Sequence, residues 1–164
     1  MNVELKQKKN TRAAVILIHD GALLVMHRIR DGKEYYTFPG GTIEEGESEK
    51  DAAMRELFEE TTIVAKVTKL LYILTKEDET LKRKKQEFFF LGKYISGTVQ
   101  LSATSEEYQR SSEKNYYNPM WVPLSLVKRL VLYPLEIKEL LLSDFSSGFH
   151  DGPKKISVDF KKTM

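Results

Sequence analysis

The chain has 164 residues, a length suited to one domain that buries roughly two-thirds of its unfolded surface. Hydrophobic residues make up 41% and charged residues 30%, and 26 Lys and Arg against 24 Asp and Glu leave a net charge of +2. Bulk charge therefore argues for neither nucleic acid nor a membrane surface, and the lack of cysteine excludes disulfides and thiolate metal sites and suits a reducing cytosol.

The opening "MNVELKQKKN" is basic but has no apolar core like that of a secretory signal, so residues 1–10 are expected to form a flexible arm. The apolar run Ala13 to Ile18 is far short of the ~20 residues that cross a bilayer; no membrane is expected, and the location is expected to be cytoplasmic. "RAAVILIHDGALLVMHR" predicts two strands joined by an Asp20-Gly21 turn. A second Asp-Gly follows in "RDGKE", "YYTF" resumes an extended segment, and "PGG" (Pro39 to Gly41) breaks it. From Ser48 to about Glu60 the pattern is helical, with Ser48 as cap and Asp51 three residues on.

Next, "IVAKVTKLLYIL" (Ile63 to Leu74) and "FFFLGKYI" (Phe88 to Ile95) predict a long antiparallel hairpin around the charged connection "KEDETLKRKKQE". Lys82, Arg83, Lys84 and Lys85 form a compact basic run that could steer polyphosphate or RNA but reads as a solvated hairpin tip, and "GTVQL" is a candidate short strand. Trp121-Val122 reads as a strand leading into a closing helix, with Pro134 near a helix start and Leu135, Leu140 and Leu141 as its apolar face. This order is α+β. One domain is expected over 11–145, followed by a tail, 146–164, to which the pattern assigns no structure.

Glu56, Glu59 and Glu60 stand at i, i+3 and i+4, so their carboxylates share one helical face, while Ala53, Met54 and Leu57 can face a core. The small Ala52, one turn before Glu56, leaves space above that acidic face. Like charges at this spacing cost a few tenths of a kcal/mol. Anions in the last turn oppose the helix dipole by roughly 0.3–1 kcal/mol each. A solvated acidic face is one reading. The other is a hard divalent ion, Mg²⁺ or Mn²⁺, which turns the repulsion into attraction. Pro39-Gly40-Gly41 lets the backbone approach a ligand closely, and the Gly40 carbonyl could serve the same ion.

Gly41, five residues, Glu47, seven residues, then "RELFEE" (Arg55 to Glu60) and Ile63 resemble the box that defines the Nudix hydrolases. One position departs: Thr62 stands where the box has its second glycine. A β-branched residue there costs roughly 1–2 kcal/mol if the left-handed backbone is kept, or else the turn takes another path. The resemblance implies an α/β/α sandwich with a mixed sheet and a loop-helix-loop catalytic motif.

By that resemblance, Glu56, Glu59, Glu60 and the Gly40 carbonyl would be metal ligands, Arg55 would orient the glutamates, and Glu47 would brace the loop. Either Glu59 or Glu60 would activate water. Glu106, in "SATSEEYQRSSEKNYY", is the choice for a further carboxylate outside the box. Arg28 is expected to bind phosphate, Tyr36 and Phe38 to offer a stacking face to a base, and Gly41 to approach the substrate. The reaction implied is metal-dependent hydrolysis of a nucleoside diphosphate-X substrate. With no downstream residue typical of ADP-ribose or dinucleoside polyphosphate hydrolases, a (deoxy)nucleoside triphosphate split to monophosphate and pyrophosphate is the expectation. The alternatives are nucleotide-sugar or RNA-cap hydrolysis, or a nucleotide-sensing module without turnover. The expected partner is a nucleotide-derived small molecule, with no nucleic acid; many members of the family are homodimers, but no residue here argues for one.

Overall fold

The computed structural model describes residues 11–80, 82–100, 112 and 114–159. The first hairpin forms as expected, with strands β1 (Thr11–His19) and β2 (Ala22–Arg30). Asp20 and Gly21 both have positive φ, 49° and 75°, the turn whose twist matches the strands it joins. Asp31 and Gly32 repeat that geometry at 51° and 76°, leading into β3 (Lys33–Thr37). "PGG" does more than interrupt. Its glycines open a short strand, β4 (Gly40–Thr42), paired antiparallel with Arg12 to Ala14. A Cβ on Gly40 would meet the Ala13 carbonyl oxygen at 2.5 Å and the Ala14 Cβ at 2.6 Å, so this pairing admits no side chain there.

Helix α1 (Glu49–Thr61) is followed by the long hairpin β5 (Val64–Asp78) and β6 (Arg83–Ser96). Its ladder runs well into the segment expected to be a charged connection. Glu77 lies opposite Lys84 and Asp78 opposite Arg83, and opposite charges across a ladder favour pairing. Lys84 and Lys85 are therefore strand residues, not tip residues. Residues 97–100 form no strand, and Leu101 lies outside the described residues.

Strand β7 (Asn115–Pro123) pairs with the whole of β2. The expected single closing helix is divided into a one-turn α2 (Leu124–Val127), a two-residue β8 (Leu132–Tyr133) and α3 (Leu135–Ser147), which begins after Pro134. The last strand, β9 (Lys154–Asp159), runs parallel to β5 at the sheet's edge, within the stretch left without an assignment.

β1 is the hinge of the mixed sheet: parallel to β6, antiparallel to β4 at its start and to β2 at its end. Its alternation builds both cores. Ala13, Val15 and Leu17 pack beneath α1 with Ala52, Ala53 and Leu57. Ala14 and Ile16 face the opposite way, toward Ile137 and Leu141 of α3. Burying a leucine such as Leu57 completely contributes roughly 1.5–3 kcal/mol. Ala52 is fully buried in this core and leaves no open space above the glutamates; its small size lets the helix lie close on the sheet. Helices on both faces of a mixed sheet make the α/β/α sandwich.

A polar network ties α3 to the sheet. The Tyr72 hydroxyl and the Lys154 ammonium each donate to the buried Asp144 carboxylate at 2.7 Å. Burial would raise the Asp144 carboxyl, but these donors and the nearby His150 outweigh it and hold it below the usual carboxylate range.

Candidate active site

The site is assembled where α1 meets β4. Ser48 Oγ accepts from the Asp51 N–H at 3.1 Å and starts the helix. At the other end Thr62 takes φ 60°, ψ 8°, the left-handed position. So the box keeps its backbone path without the second glycine, at a cost of about 1–2 kcal/mol. The Thr62 hydroxyl donates to the Thr98 carbonyl at 2.5 Å, an anchor that no glycine could supply.

Between these ends the carboxylates divide in two. The Arg55 guanidinium grips Glu47 with two hydrogen bonds, 2.7 and 3.0 Å, and reaches Glu56 at 3.0 Å, Glu59 at 3.2 Å and the Thr42 carbonyl at 3.1 Å. The hydrogen bond from Arg55 lowers the Glu47 carboxyl below its ordinary range, against an opposing effect of burial. Conversely, Glu47 and Glu56 hold the guanidinium charge still more firmly than usual. Glu60, 5% exposed, turns the other way and accepts the Gly40 N–H at 3.2 Å. Among the described residues no three acidic or imidazole side chains are gathered into a ready-made cage for an ion. Arg55 stands between Glu56 and Glu59, and the loop backbone engages Glu60.

Gly41 completes the contact of loop and helix. A Cβ there would come within 2.3 Å of the Glu56 carboxyl carbon, so the missing side chain is what lets this carboxylate sit against the loop. The donor set is all oxygen and includes two buried glutamates beside a loop whose Gly40 carbonyl already accepts a long hydrogen bond from Arg12, which fits a hard divalent ion in kind.

These groups form one rim of a cleft of about 610 Å³. Gly40, Gly41, Arg55, Glu56, Glu59, Glu60, Arg28 and Phe38, all singled out by sequence, line it. Glu47 does not line it; it acts on the rim through Arg55. Phe38 is almost wholly buried and packs edge-on against Phe89, so it supports the cleft floor more than it offers a stacking face. Tyr36 is absent from the lining and stacks on His27, with ring centroids 4.8 Å apart. Its direct cross-strand partner is His27, whereas Arg28 pairs with Tyr35; alternation therefore puts Tyr36 and Arg28 on opposite faces. Glu106 lies outside the described residues.

Of the lining residues that escaped the sequence reading, Arg12 and Tyr117 carry the most chemistry. Arg12, on β1, donates to the Gly40 carbonyl at 3.3 Å. Tyr117, on β7, carries the Arg28 guanidinium 3.6 Å from its ring centroid, and Arg28 also donates to Asn115 Oδ1 at 3.0 Å and to the Tyr116 carbonyl at 3.3 Å. Arg12 could have been found from the pairing of β1 with the box glycines. Nothing local in the sequence marks Tyr117.

The NUDIX domain family profile matches residues 9–139. Among curated proteins none matches the chain in sequence. Solved structures share the fold. A NUDIX hydrolase from Nitrosomonas europaea is 20% identical over 88% of this chain and 93% of its own, with a TM-score of 0.66. A MutT protein from Methanosarcina mazei Go1 is 21% identical over 84% and 92%, with a TM-score of 0.60. A UDP-X diphosphatase is 18% identical over 89% and 66%, with a TM-score of 0.61.

Proposed function

The chain belongs to the Nudix hydrolase family, pyrophosphohydrolases of nucleoside-diphosphate-linked substrates, and from that premise we propose that it splits a (deoxy)nucleoside triphosphate into monophosphate and pyrophosphate. The observation that carries this reading is the joined rim: Glu56 seated against Gly41 and Glu60 bonded to Gly40 bring loop backbone and helix carboxylates to one edge of the cleft. We assign Glu56, Glu59, Glu60 and the Gly40 carbonyl to a Mg²⁺ or Mn²⁺ ion. When bound, such an ion would neutralise phosphate charge and acidify a water.

The chain's own residues supply the rest. Arg55 sets the spacing of Glu56 and Glu59, with Glu47 locking the guanidinium plane. Glu59, whose side chain is 39% exposed, is the most accessible of the three helix glutamates and takes the proton as water attacks phosphorus. Arg28 and Tyr117 line the same cleft, and Tyr117, rather than Tyr36, offers an aromatic ring to the base. Glu106 stays in the reading as a further carboxylate from outside the box. No described helix is long and apolar enough to cross a membrane; a cytoplasmic enzyme acting on a nucleotide-derived small molecule completes the proposal.

The test is release of pyrophosphate or phosphate across a panel of (deoxy)nucleoside triphosphates, nucleotide sugars and capped RNA, with Mg²⁺ and with Mn²⁺. Turnover of a triphosphate that falls by orders of magnitude in Glu59→Gln and Glu60→Gln is expected. Turnover of a sugar nucleotide or cap alone would reassign the substrate. Nucleotide binding with no turnover anywhere would make the protein a sensor.

A further inference from the structure

Three arginines line the cleft, and they are not equally committed. Arg55 is saturated by carboxylates, and Arg28 is held by Asn115, Tyr117 and a carbonyl. The Arg12 guanidinium makes, among the described residues, one hydrogen bond: the long one to the neutral Gly40 carbonyl. Moreover, Arg12 is not an isolated cation. It pairs across the β1–β6 ladder with Glu87, and Lys85 lies two residues along β6 on the same face. Lys76 of β5 pairs directly with Lys85. Like charges placed opposite one another weaken a ladder. Glu87 answers them in part, with its Oε1 3.5 Å from Lys85 Nζ.

We propose that Arg12, Lys85 and Lys76 form a cationic track that leaves the cleft beside Gly40 and binds phosphates lying beyond the diphosphate at the glutamate rim. The group X of the substrate is then itself a phosphate chain, and a neutral sugar gains nothing from the track. This rests on the hydrolase reading above for which phosphates occupy the rim, but not for the track's affinity. Guanidinium and ammonium groups make charge-assisted hydrogen bonds to phosphate oxygens, and an anion between Arg12 and Lys85 removes their mutual repulsion. The half-buried state of Lys85 agrees. Burial is the main influence lowering its ammonium pKa; Arg12 and Lys76 push the same way, and Glu87 opposes them. A bound phosphate would reverse that balance. Arg12 also borders the Gly40 carbonyl, so the third phosphate would sit next to the first two with no gap.

The experiment measures binding of inorganic tripolyphosphate and of pyrophosphate by calorimetry, without metal, to the full chain and to Arg12→Gln, Lys85→Gln and Lys76→Gln. Thermal unfolding identifies any variant that has lost its fold, and the remaining ones carry the test. Arg12→Gln and Lys85→Gln are expected to weaken tripolyphosphate about tenfold or more, as loss of a hydrogen bond to a charged group implies, and pyrophosphate by less. In parallel, the ratio of kcat/KM for a nucleoside triphosphate to that for a nucleotide sugar should fall about tenfold. Equal tripolyphosphate affinity in wild type and folded variants overturns the track, and if nucleotides are still hydrolysed the hydrolase reading survives. A wild type that turns over no nucleotide, yet binds tripolyphosphate through Arg12 and Lys85, does the reverse.

Discussion

Arg55→Ala tests whether the acidic rim is held together by its arginine or merely coated by solvent. The substitution removes two hydrogen bonds to Glu47, one each to Glu56 and Glu59, and one to the Thr42 carbonyl. Side-chain exposures of 24% for Arg55, 15% for Glu47 and 11% for Glu56 put this array beyond ordinary surface pairing, while Glu59, at 39%, is screened by water. Hydrogen bonds to charged groups contribute roughly 1.5–3 kcal/mol each and do not add fully, so a total loss of about 2–4 kcal/mol is expected. For a chain of this length that is a fall in Tm of about 5–15 °C. The pH dependence supplies a second signature. The Glu47 carboxyl is lowered in the folded state by Arg55, so its contribution is present above the unfolded carboxyl range, near about pH 4, and is lost as pH falls through the lower folded value. The deficit of the variant against wild type should therefore shrink in acid. Urea unfolding at pH 7 and at about pH 3 checks both. A deficit under about 0.5 kcal/mol, or one that does not shrink, would refute the reasoning. Arg55→Lys should fall between, because an ammonium cannot match the paired geometry of Glu47.

Neighbouring glycines should behave differently. Gly40→Ala drives a Cβ into backbone and should cost about 1–3 kcal/mol in urea unfolding, whereas Gly41→Ala meets the movable end of Glu56 and should reduce kcat far more than stability. Thr62→Val keeps the left-handed strain and loses the bond to Thr98, for a loss of about 0.5–1.5 kcal/mol by the same measurement. Asp144→Asn should cost about 1–3 kcal/mol, because it weakens the pairing with Lys154 and Tyr72. Since the Asp144 carboxyl is lowered on folding, its contribution holds above the unfolded carboxyl range and disappears as pH falls through the folded value, so the variant's acid unfolding curve should be flatter.

What could be read without coordinates was whatever depends on neighbours in sequence. The Asp-Gly turns, the capping Ser48 and the glutamate spacing are local chemistry, and each stands where its pattern put it. Long-range pairing was the blind spot. Glu77, Asp78, Arg83 and Lys84 looked like loop residues because their compensation lies across the ladder, not along the chain. β9 carries a legible alternation, with Lys155, Ser157 and Asp159 more exposed than their neighbours, but only the β5 edge tells the segment what to do. In the site, Glu47, Arg55, Glu56, Glu59 and Glu60 share one helix and its leading loop. Arg12 and Tyr117 come from strands far away in sequence, and Tyr36 was taken for a cleft residue because a strand's facing depends on register with its partners.

The pairing of β9 with β5 carries a consequence for how the protein is made. Tyr72 to Glu77 wait for Lys154 to Asp159 as partners, and during synthesis these are made long after β5 itself. Until then the nascent chain presents a fifteen-residue strand with one open flank, the kind of surface that invites sticking between unfinished molecules. Docking of β9 thus becomes the moment at which that flank is covered along Tyr72 to Glu77.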